Sequence, residues 1–125
     1  MFLYFNTLGD KKTIKVLGAK KDDEICFFAP NNSQEHILLY LNKLQKRAGF
    51  DLKDIKGIMV NQGPGSFAGI RKILTIVNVM GWCLQIPVQG VSLEREKTEE
   101  EAVKKALAKI KRKKTGSFAM PVYKI

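Results

Sequence analysis

Histidine, cysteine and tryptophan are scarce in this chain of 125 residues, which contains one, two and one of them respectively. Because His36 is the single histidine, neither a histidine-rich metal cluster nor a histidine-based catalytic triad is easily built. Cys26 and Cys83 stand in apolar stretches without the spacing of metal ligands. We therefore expect both to be reduced thiols in the core of a cytoplasmic protein.

Long apolar runs are also missing, since no stretch approaches the ~20 residues that span a membrane. The first residues are too short an apolar run for a signal peptide and lack its basic leader. The length allows one domain with a real core. Only positive charge is in excess, with 22 Lys and Arg against 12 Asp and Glu and a net charge of +10. This charge favours acidic partners, including RNA, although no RNA-binding motif accompanies it.

A glycine-rich turn at residues 60–71, with the sequence VNQGPGSFAGIR, organises the chain. The apolar run Ile55–Asn61 before it predicts a buried strand, and Ala68–Leu84 after it predicts a long helix. Such a turn aims amide hydrogens and the positive end of a helix at one point, which suits an anion. The alternative is a turn whose glycines only allow the helix to pack closely on its strand. The candidate residues near an anion are Gly63, Pro64, Gly65, Ser66 (the expected N-cap), Phe67, Gly69 and Arg71.

The helix Ala68–Leu84 is apolar over an arc of roughly 220°, where a surface helix needs only about 100°. Its expected core stripe consists of Ile70, Ile73, Leu74, Val77, Gly81 and Leu84. Beyond Met80 remains a flank of three residues, Ile76, Val79 and Cys83. Arg71, Thr75, Asn78 and Trp82 form a more polar side. Either the predicted helix Gln34–Ala48 or a partner protein must cover this flank, because exposing it forgoes on the order of 4–6 kcal/mol.

The remaining pattern predicts an α/β fold with a mixed sheet. Three strands joined by short turns favour an antiparallel meander, and the later strands and the long helix form a βαβ unit. The alternation of Ile14 and Val16 with lysines predicts one wet face on the second strand. The five expected strands are Phe2–Thr7, Lys12–Ala19, Glu24–Ala29, Ile55–Asn61 and Ile86–Leu93.

Residues 94–114 are mostly charged and predict an amphipathic helix that starts with a capping box at Thr98 and Glu101. Its narrow apolar face would cover the sheet. The basic run Lys111–Lys114 either is a solvated helix end or contacts RNA phosphates.

The segment Gly63–Arg71 resembles the GPGSFTGLR signature of the TsaB (YeaZ) family, and Ile86–Leu93 resembles the family segment GIP-x-x-GVSSL. The ending Met120–Ile125 is similar to the "Pro-x-Tyr-x-Arg" end of family members. The resemblance implies a ribonuclease-H-like fold of the actin/Hsp70-like superfamily. It also implies that residues 1–125 form a single TsaB-like N-terminal lobe, in which the charged helix within 94–114 replaces most of the second lobe.

The resemblance further implies a non-catalytic accessory subunit that binds a TsaD-type transferase in tRNA threonylcarbamoyladenosine modification. A TsaE-type ATPase, tRNA contacted through the complex, and a homodimer through helices 34–48 and 68–84 are further expected partners. The resemblance assigns the partner interface to Leu38, Leu39, Ile76, Val79, Met80 and Cys83.

We expect no cofactor held by this chain alone, although ATP or ADP could lie near the interface with the partner. Asn6 stands where related proteins carry an aspartate, and an amide supplies no negative charge for a hard cation. Two other classes of function remain open, a small basic RNA-binding module and a nucleotide-dependent enzyme of the same superfamily.

Overall fold

A computed structural model of the chain describes residues 1–18, 22–29, 36–63, 67–93 and 98–112. They form five strands, three α-helices and one 3₁₀ turn. In chain order these are β1 (Phe2–Asn6), β2 (Lys11–Leu17), β3 (Asp23–Phe28), α1 (Ile37–Ala48), the 3₁₀ turn (Leu52–Asp54), β4 (Gly57–Asn61), α2 (Phe67–Leu84), β5 (Val88–Val91) and α3 (Glu99–Ile110).

One mixed sheet with the order β3-β2-β1-β4-β5 organises these elements. The central strand β1 pairs antiparallel with β2, placing Phe2 opposite Leu17, and parallel with β4, placing Phe2 beside Gly57. The strands β4 and β5 are also parallel, as expected for the two ends of a βαβ unit. The predicted α/β class, the antiparallel meander and the five strands are therefore confirmed, with small differences at the strand ends.

Helices cover both faces of the sheet and divide the apolar residues into two cores. The larger core lies under α1 and α2, because the inward residues of β1 and β2, such as Leu3, Phe5 and Ile14, alternate with residues of the other face. The smaller core lies under α3, where Tyr4 and Met59 meet the buried stripe of that helix. All of the predicted stripe on α2 is buried except Leu84, which is half-buried.

The helix α3 begins after Thr98, whose hydroxyl accepts the Glu101 N–H at 3.2 Å, so the predicted N-cap is confirmed. The helix α1 begins at Ile37, whereas the sequence predicted a start at Gln34. His36 precedes it as an exposed residue without a side-chain cap.

The burial of one charged residue was not predicted. The side chain of Lys12 is fully buried, because it shares the strand face of Ile14 and Val16, whereas the other face of β2, with Lys11 and Lys15, is exposed or half-buried as expected. Its ammonium donates to the carbonyl oxygens of Thr7 at 2.8 Å and Gly9 at 2.9 Å. Burial lowers the pKa of Lys12, and nearby Asp10 opposes this shift.

The prediction that both cysteines are core thiols is wrong, since Cys26 and Cys83 are both exposed. Cys26 lies on the outer strand β3, and Cys83 lies on the outer side of α2, where apolar neighbours in sequence do not mean burial.

Several sequence predictions fall outside the described residues. These are the turn residues Pro64, Gly65 and Ser66, the start of the first predicted helix at Gln34, the basic residues Lys113 and Lys114, and the ending Met120–Ile125. Among the helices in the described part of the chain, none has the length and apolar character needed to cross a membrane.

Candidate functional site

The glycine turn joins β4 to α2 at the carboxyl edge of the central strands. Gly63 has φ +119°, a conformation that side-chain-bearing residues rarely adopt, and its N–H donates to the Asn61 side-chain oxygen at 3.1 Å. Gly69 is buried near the start of α2, whereas Arg71, two residues later, is exposed. The predicted anion site depends on the undescribed residues 64–66 and therefore stays a prediction.

Two further glycines, one in α2 and one in β5, lie against neighbouring side chains. A Cβ atom on Gly81 of α2 would lie 2.4 Å from Cγ2 of Val88, so this glycine lets the helix approach β5. A Cβ atom on Gly90 of β5 would lie 1.7 Å from Oε1 of Gln62. At position 81 the Ile86 carbonyl oxygen also lies 3.1 Å from such a Cβ atom, so a larger side chain has no room there, whereas the flexible Gln62 side chain could turn away from position 90. Gly81 therefore fixes how closely α2 packs on β5.

A polar cluster lies on the opposite face of the sheet, at the carboxyl ends of β1 and β4. The Asn61 side-chain amide donates to the Asn6 oxygen at 2.9 Å, and the Asn6 amide donates to the carboxylate of Glu99 in the first turn of α3. The Tyr4 hydroxyl donates to the same carboxylate at 3.4 Å. The Lys15 ammonium lies 3.9 Å from its other oxygen. The cluster therefore connects three strands to the start of α3.

The side chains around Glu99 are hydrogen-bond donors and a cation, which suit its carboxylate and would not bind a metal ion. Asn6 uses its oxygen to accept from Asn61 and its amide to donate to Glu99, so it offers no oxygen in the direction of Glu99. The Glu99 carboxylate is in turn surrounded by an amide, a hydroxyl and an ammonium. Among the described residues, no group of three or more His, Cys, Asp or Glu side chains is placed to hold a metal ion. The cluster thus fixes α3 on the sheet.

Tyr4 is the titratable group most affected by this arrangement. Its side chain is fully buried, and burial together with the neighbouring Glu99 carboxylate, which also accepts its hydrogen bond, raises the pKa of Tyr4 well above its usual range. The hydroxyl therefore remains protonated and serves as a donor to Glu99. No local pattern predicts this role, because Tyr4 and Glu99 are 95 positions apart.

A second candidate site is an apolar surface on α1 and α2. Leu38 is 59% exposed and Leu39 51%, while Val79 is 53% exposed and Trp82 66%. These four residues are called the apolar surface below. Cys83, another of the predicted interface residues, is also exposed. The other two predicted interface residues, Ile76 and Met80, are half-buried, and Met80 packs against the larger core.

The orientation of α1 follows from its aromatic contact. Tyr40 stacks on Phe27 of β3 with ring centroids 3.9 Å apart, so this side of α1 faces the outer strand. Leu38 lies two residues earlier, roughly 160° away around the helix, and therefore on the side of α1 that faces away from β3. Trp82 was missed as a candidate, because its neighbours Arg71, Thr75 and Asn78 predicted a polar side of α2.

Comparisons with known proteins agree with this architecture. The family model TsaD, described as tRNA N6-adenosine threonylcarbamoyltransferase, matches residues 28–95, more than half of the chain. The tRNA threonylcarbamoyladenosine biosynthesis protein TsaB of Buchnera aphidicola subsp. Schizaphis graminum is 33% identical over 75 residues, covering 58% of this chain and 36% of that protein. The protein of the same description from Bacillus subtilis is 40% identical over 40 residues, covering 32% of this chain and 18% of that protein.

Two solved structures share the fold. YeaZ from Pseudomonas aeruginosa aligns with a TM-score of 0.68 at 25% identity, over 73% of this chain and 43% of that chain. A structure described as an uncharacterized protein with similarity to peptidase YeaZ from Pseudomonas aeruginosa aligns with a TM-score of 0.69, also at 25% identity. It covers 73% of this chain and 42% of the other.

The mixed sheet, the helices on its two faces and the glycine turn define an α/β protein of the class to which TsaD and YeaZ belong. The chain belongs to the TsaD family and is one of its TsaB/YeaZ members, as the resemblance predicted. It spans about a third of the length of the first curated relative and less than half of each solved structure.

Proposed function

We propose that this chain is a non-catalytic accessory subunit in tRNA threonylcarbamoyladenosine biosynthesis, and that it binds a TsaD-type transferase through α1 and α2. The observation that carries the proposal is the apolar surface of Leu38, Leu39, Val79 and Trp82, each more than half exposed. The names of the relatives supply the pathway, because both curated proteins are described as threonylcarbamoyladenosine biosynthesis proteins.

Energetics support an occupant for this surface. Full burial of a large apolar side chain is worth about 2 kcal/mol, so covering four half-exposed ones contributes roughly 1 kcal/mol each. Aromatic residues such as Trp82 are enriched among the side chains that dominate binding energy. The net charge of +10 opposes self-association, which favours a different protein over a second copy of this chain.

The polar cluster supports the non-catalytic part of the proposal. Asn6 occupies the position at the end of β1 where a carboxylate would face a cation, and its two polar atoms contact Asn61 and Glu99 instead. Any ATP or ADP near the glycine turn would then be held mainly by the partner, with Arg71 as the contribution of this chain.

Co-purification with the transferase subunit, followed by a measured dissociation constant, tests the proposal. Val79→Asp places a charge in the apolar surface and is expected to weaken binding at least tenfold, while Leu38→Asp tests the α1 side. Ala108→Asp is the matched control, because Ala108 is an exposed residue of α3 on the other face of the sheet. Circular dichroism of each variant checks that the fold is retained.

The outcomes separate the proposal from its alternatives. If the wild-type chain is a monomer that does not bind the transferase, the proposed partner is wrong. If the Val79→Asp and Ala108→Asp variants bind the transferase equally well, the apolar surface is not the binding site. Magnesium-dependent ATP turnover by the pure chain would establish a nucleotide-dependent enzyme instead. Light scattering of the chain alone tests a homodimer, and a TsaE-type ATPase is tested by adding it to the preformed complex.

A further inference from the structure

The helix α3 carries a strong separation of charge along its length. From Ala102 to Arg112 the chain has five cations and no carboxylate, whereas the first turn holds three glutamates. The buried stripe of Ala102, Ala106 and Ile110 fixes the rotation of the helix on the sheet. All five cations are therefore exposed on the outer side, and they are Lys104, Lys105, Lys109, Lys111 and Arg112.

This outer side is called the cationic face below, and four of its five cations have no carboxylate partner among the described residues. Lys104, Lys109, Lys111 and Arg112 form no ion pair with any carboxylate of residues 1–18, 22–29, 36–63, 67–93 and 98–112. The Glu99 carboxylate lies at the opposite end of α3, where it contacts Asn6, Tyr4 and Lys15 of the sheet.

The C-terminal end of α3 lies close to the amino end of β4. Ile110 packs against Gly57, since a Cβ atom on Gly57 would lie 2.6 Å from Cδ1 of Ile110. The preceding residue, Lys56, is exposed and adds a sixth cation in this part of the chain.

We propose that the cationic face binds the phosphate backbone of the RNA substrate. This inference rests on the proposed function for the identity of the polyanion, because the relatives are described as tRNA threonylcarbamoyladenosine biosynthesis proteins. Lysine and arginine side chains that neutralise phosphates bind without reading sequence, so the contact positions the RNA.

An anionic membrane fits the same charges less well. A helix that binds at a membrane surface inserts its apolar side between the lipids. On α3 that side is occupied, because Ala102, Ala106 and Ile110 pack against Tyr4 and Met59 of the sheet. Only the charged side is left for an external partner.

The two proposed surfaces lie on opposite layers of the molecule. The apolar surface belongs to α1 and α2, and the cationic face belongs to α3 on the other side of the sheet. A transferase bound on the first therefore leaves the second open to RNA. This arrangement lets the chain contribute contacts to both components at once.

Fluorescence anisotropy with labelled tRNA, at several salt concentrations, tests the cationic face in the isolated chain and in the complex. A triple variant, Lys104→Gln with Lys109→Gln and Lys111→Gln, removes three of its charges. The control removes the same number from α1 and the 3₁₀ turn with Lys43→Gln, Lys46→Gln and Lys53→Gln, which are exposed residues elsewhere.

The α3 triple variant is expected to bind tRNA at least tenfold more weakly at about 0.1 M salt, with a salt slope reduced by roughly two to three. The control is expected to keep the wild-type slope within about one unit. Equal losses in both triple variants would reduce the effect to net charge and overturn the proposal. So would the absence of tRNA binding by both the wild-type chain and its complex, or preferential binding to vesicles rich in phosphatidylserine.

The failure of this inference is distinguishable from that of the proposed function. Val79→Asp should weaken transferase binding at least tenfold and leave the tRNA affinity of the isolated chain unchanged. The α3 triple variant should show the reverse pattern.

Discussion

Glu99 in the first turn of α3 accepts a hydrogen bond from the side-chain amide of Asn6, which ends β1 and is 93 positions away in the sequence. The same Asn6 accepts from Asn61 at the end of β4. An amide is the only common side chain of this size that can donate to a carboxylate and accept from a second amide at once. Asn6 therefore connects the two central strands to the helix that covers them.

The first prediction reverses this chemistry with Asn6→Asp. The new carboxylate would face Glu99, and their repulsion would raise the pKa of one of the two in the folded state. Because the folded protein then holds its proton more tightly than the unfolded chain, stability should fall as the pH rises through about 4 to 7. We expect a loss of about 2 kcal/mol near pH 7, measured by urea unfolding across this range.

The double variant Asn6→Asp with Glu99→Gln provides the control, since the introduced amide can donate to the new carboxylate. It should recover most of the lost stability near pH 7 and show a flatter pH profile. If Asn6→Asp unfolds with the same pH dependence as the wild type, Glu99 does not face Asn6 in solution.

The second prediction concerns the buried ammonium in the turn between β1 and β2. Lys12 donates to the carbonyl oxygens of Thr7 and Gly9. Lys12→Met keeps the length of the side chain but leaves both carbonyl groups without this donor, which should lower the free energy of unfolding by about 1–3 kcal/mol. The neighbouring exposed residue provides a matched control, and Lys11→Met should change stability by less than about 0.5 kcal/mol. Equal effects of the two substitutions in urea unfolding would contradict this role of Lys12.

Local periodicity was sufficient to predict most of the fold. The core stripe of α2, including Ile70, Ile73 and Val77, repeats at helical spacing, and its burial follows from that spacing alone. The turn at Gly9 and the alternation along β2 likewise predict the antiparallel meander. These patterns involve residues that are close together in the chain, so they can be recognised without knowledge of the fold.

The candidate site depended on information that local patterns do not contain. Lys12 occupies a core position of β2 by its spacing, but a lysine is buried only where its ammonium finds acceptors. The carbonyl groups that accept its hydrogen bonds come together only in the folded turn. Trp82 shares a helix side with polar residues, and its exposure depends on which surfaces of α2 remain uncovered. The contact of Glu99 with Asn6 required the docking of α3, which no spacing in the sequence specifies.

The third prediction uses the buried hydroxyl of Tyr4. Its pKa is raised from the ordinary value of 10.0, mainly by burial and then by Glu99. Above about pH 10 the unfolded chain loses this proton while the folded chain keeps it, so the free energy of unfolding should fall by up to ~1.4 kcal/mol per pH unit. Tyr4→Phe removes this group, and its stability should decline less steeply between about pH 10 and 11. Parallel curves for the two proteins in urea unfolding would show that Tyr4 is accessible to water.

The last prediction concerns the end of α2, where Gln85 adopts φ +58° and is the only non-glycine residue with a positive φ among those described. The turn is closed by Ile86, whose N–H donates to the Gly81 carbonyl oxygen at 2.9 Å, so this conformation is required. Left-handed backbone costs a side-chain-bearing residue roughly 1–2 kcal/mol, and Gln85→Gly should therefore raise the free energy of unfolding by about 1 kcal/mol. Gln85→Ala is the control, because it also loses the exposed side-chain bond to the Trp82 carbonyl oxygen but keeps the strain. A glycine variant no more stable than the alanine variant in thermal unfolding would mean that the strain at residue 85 is relieved in solution.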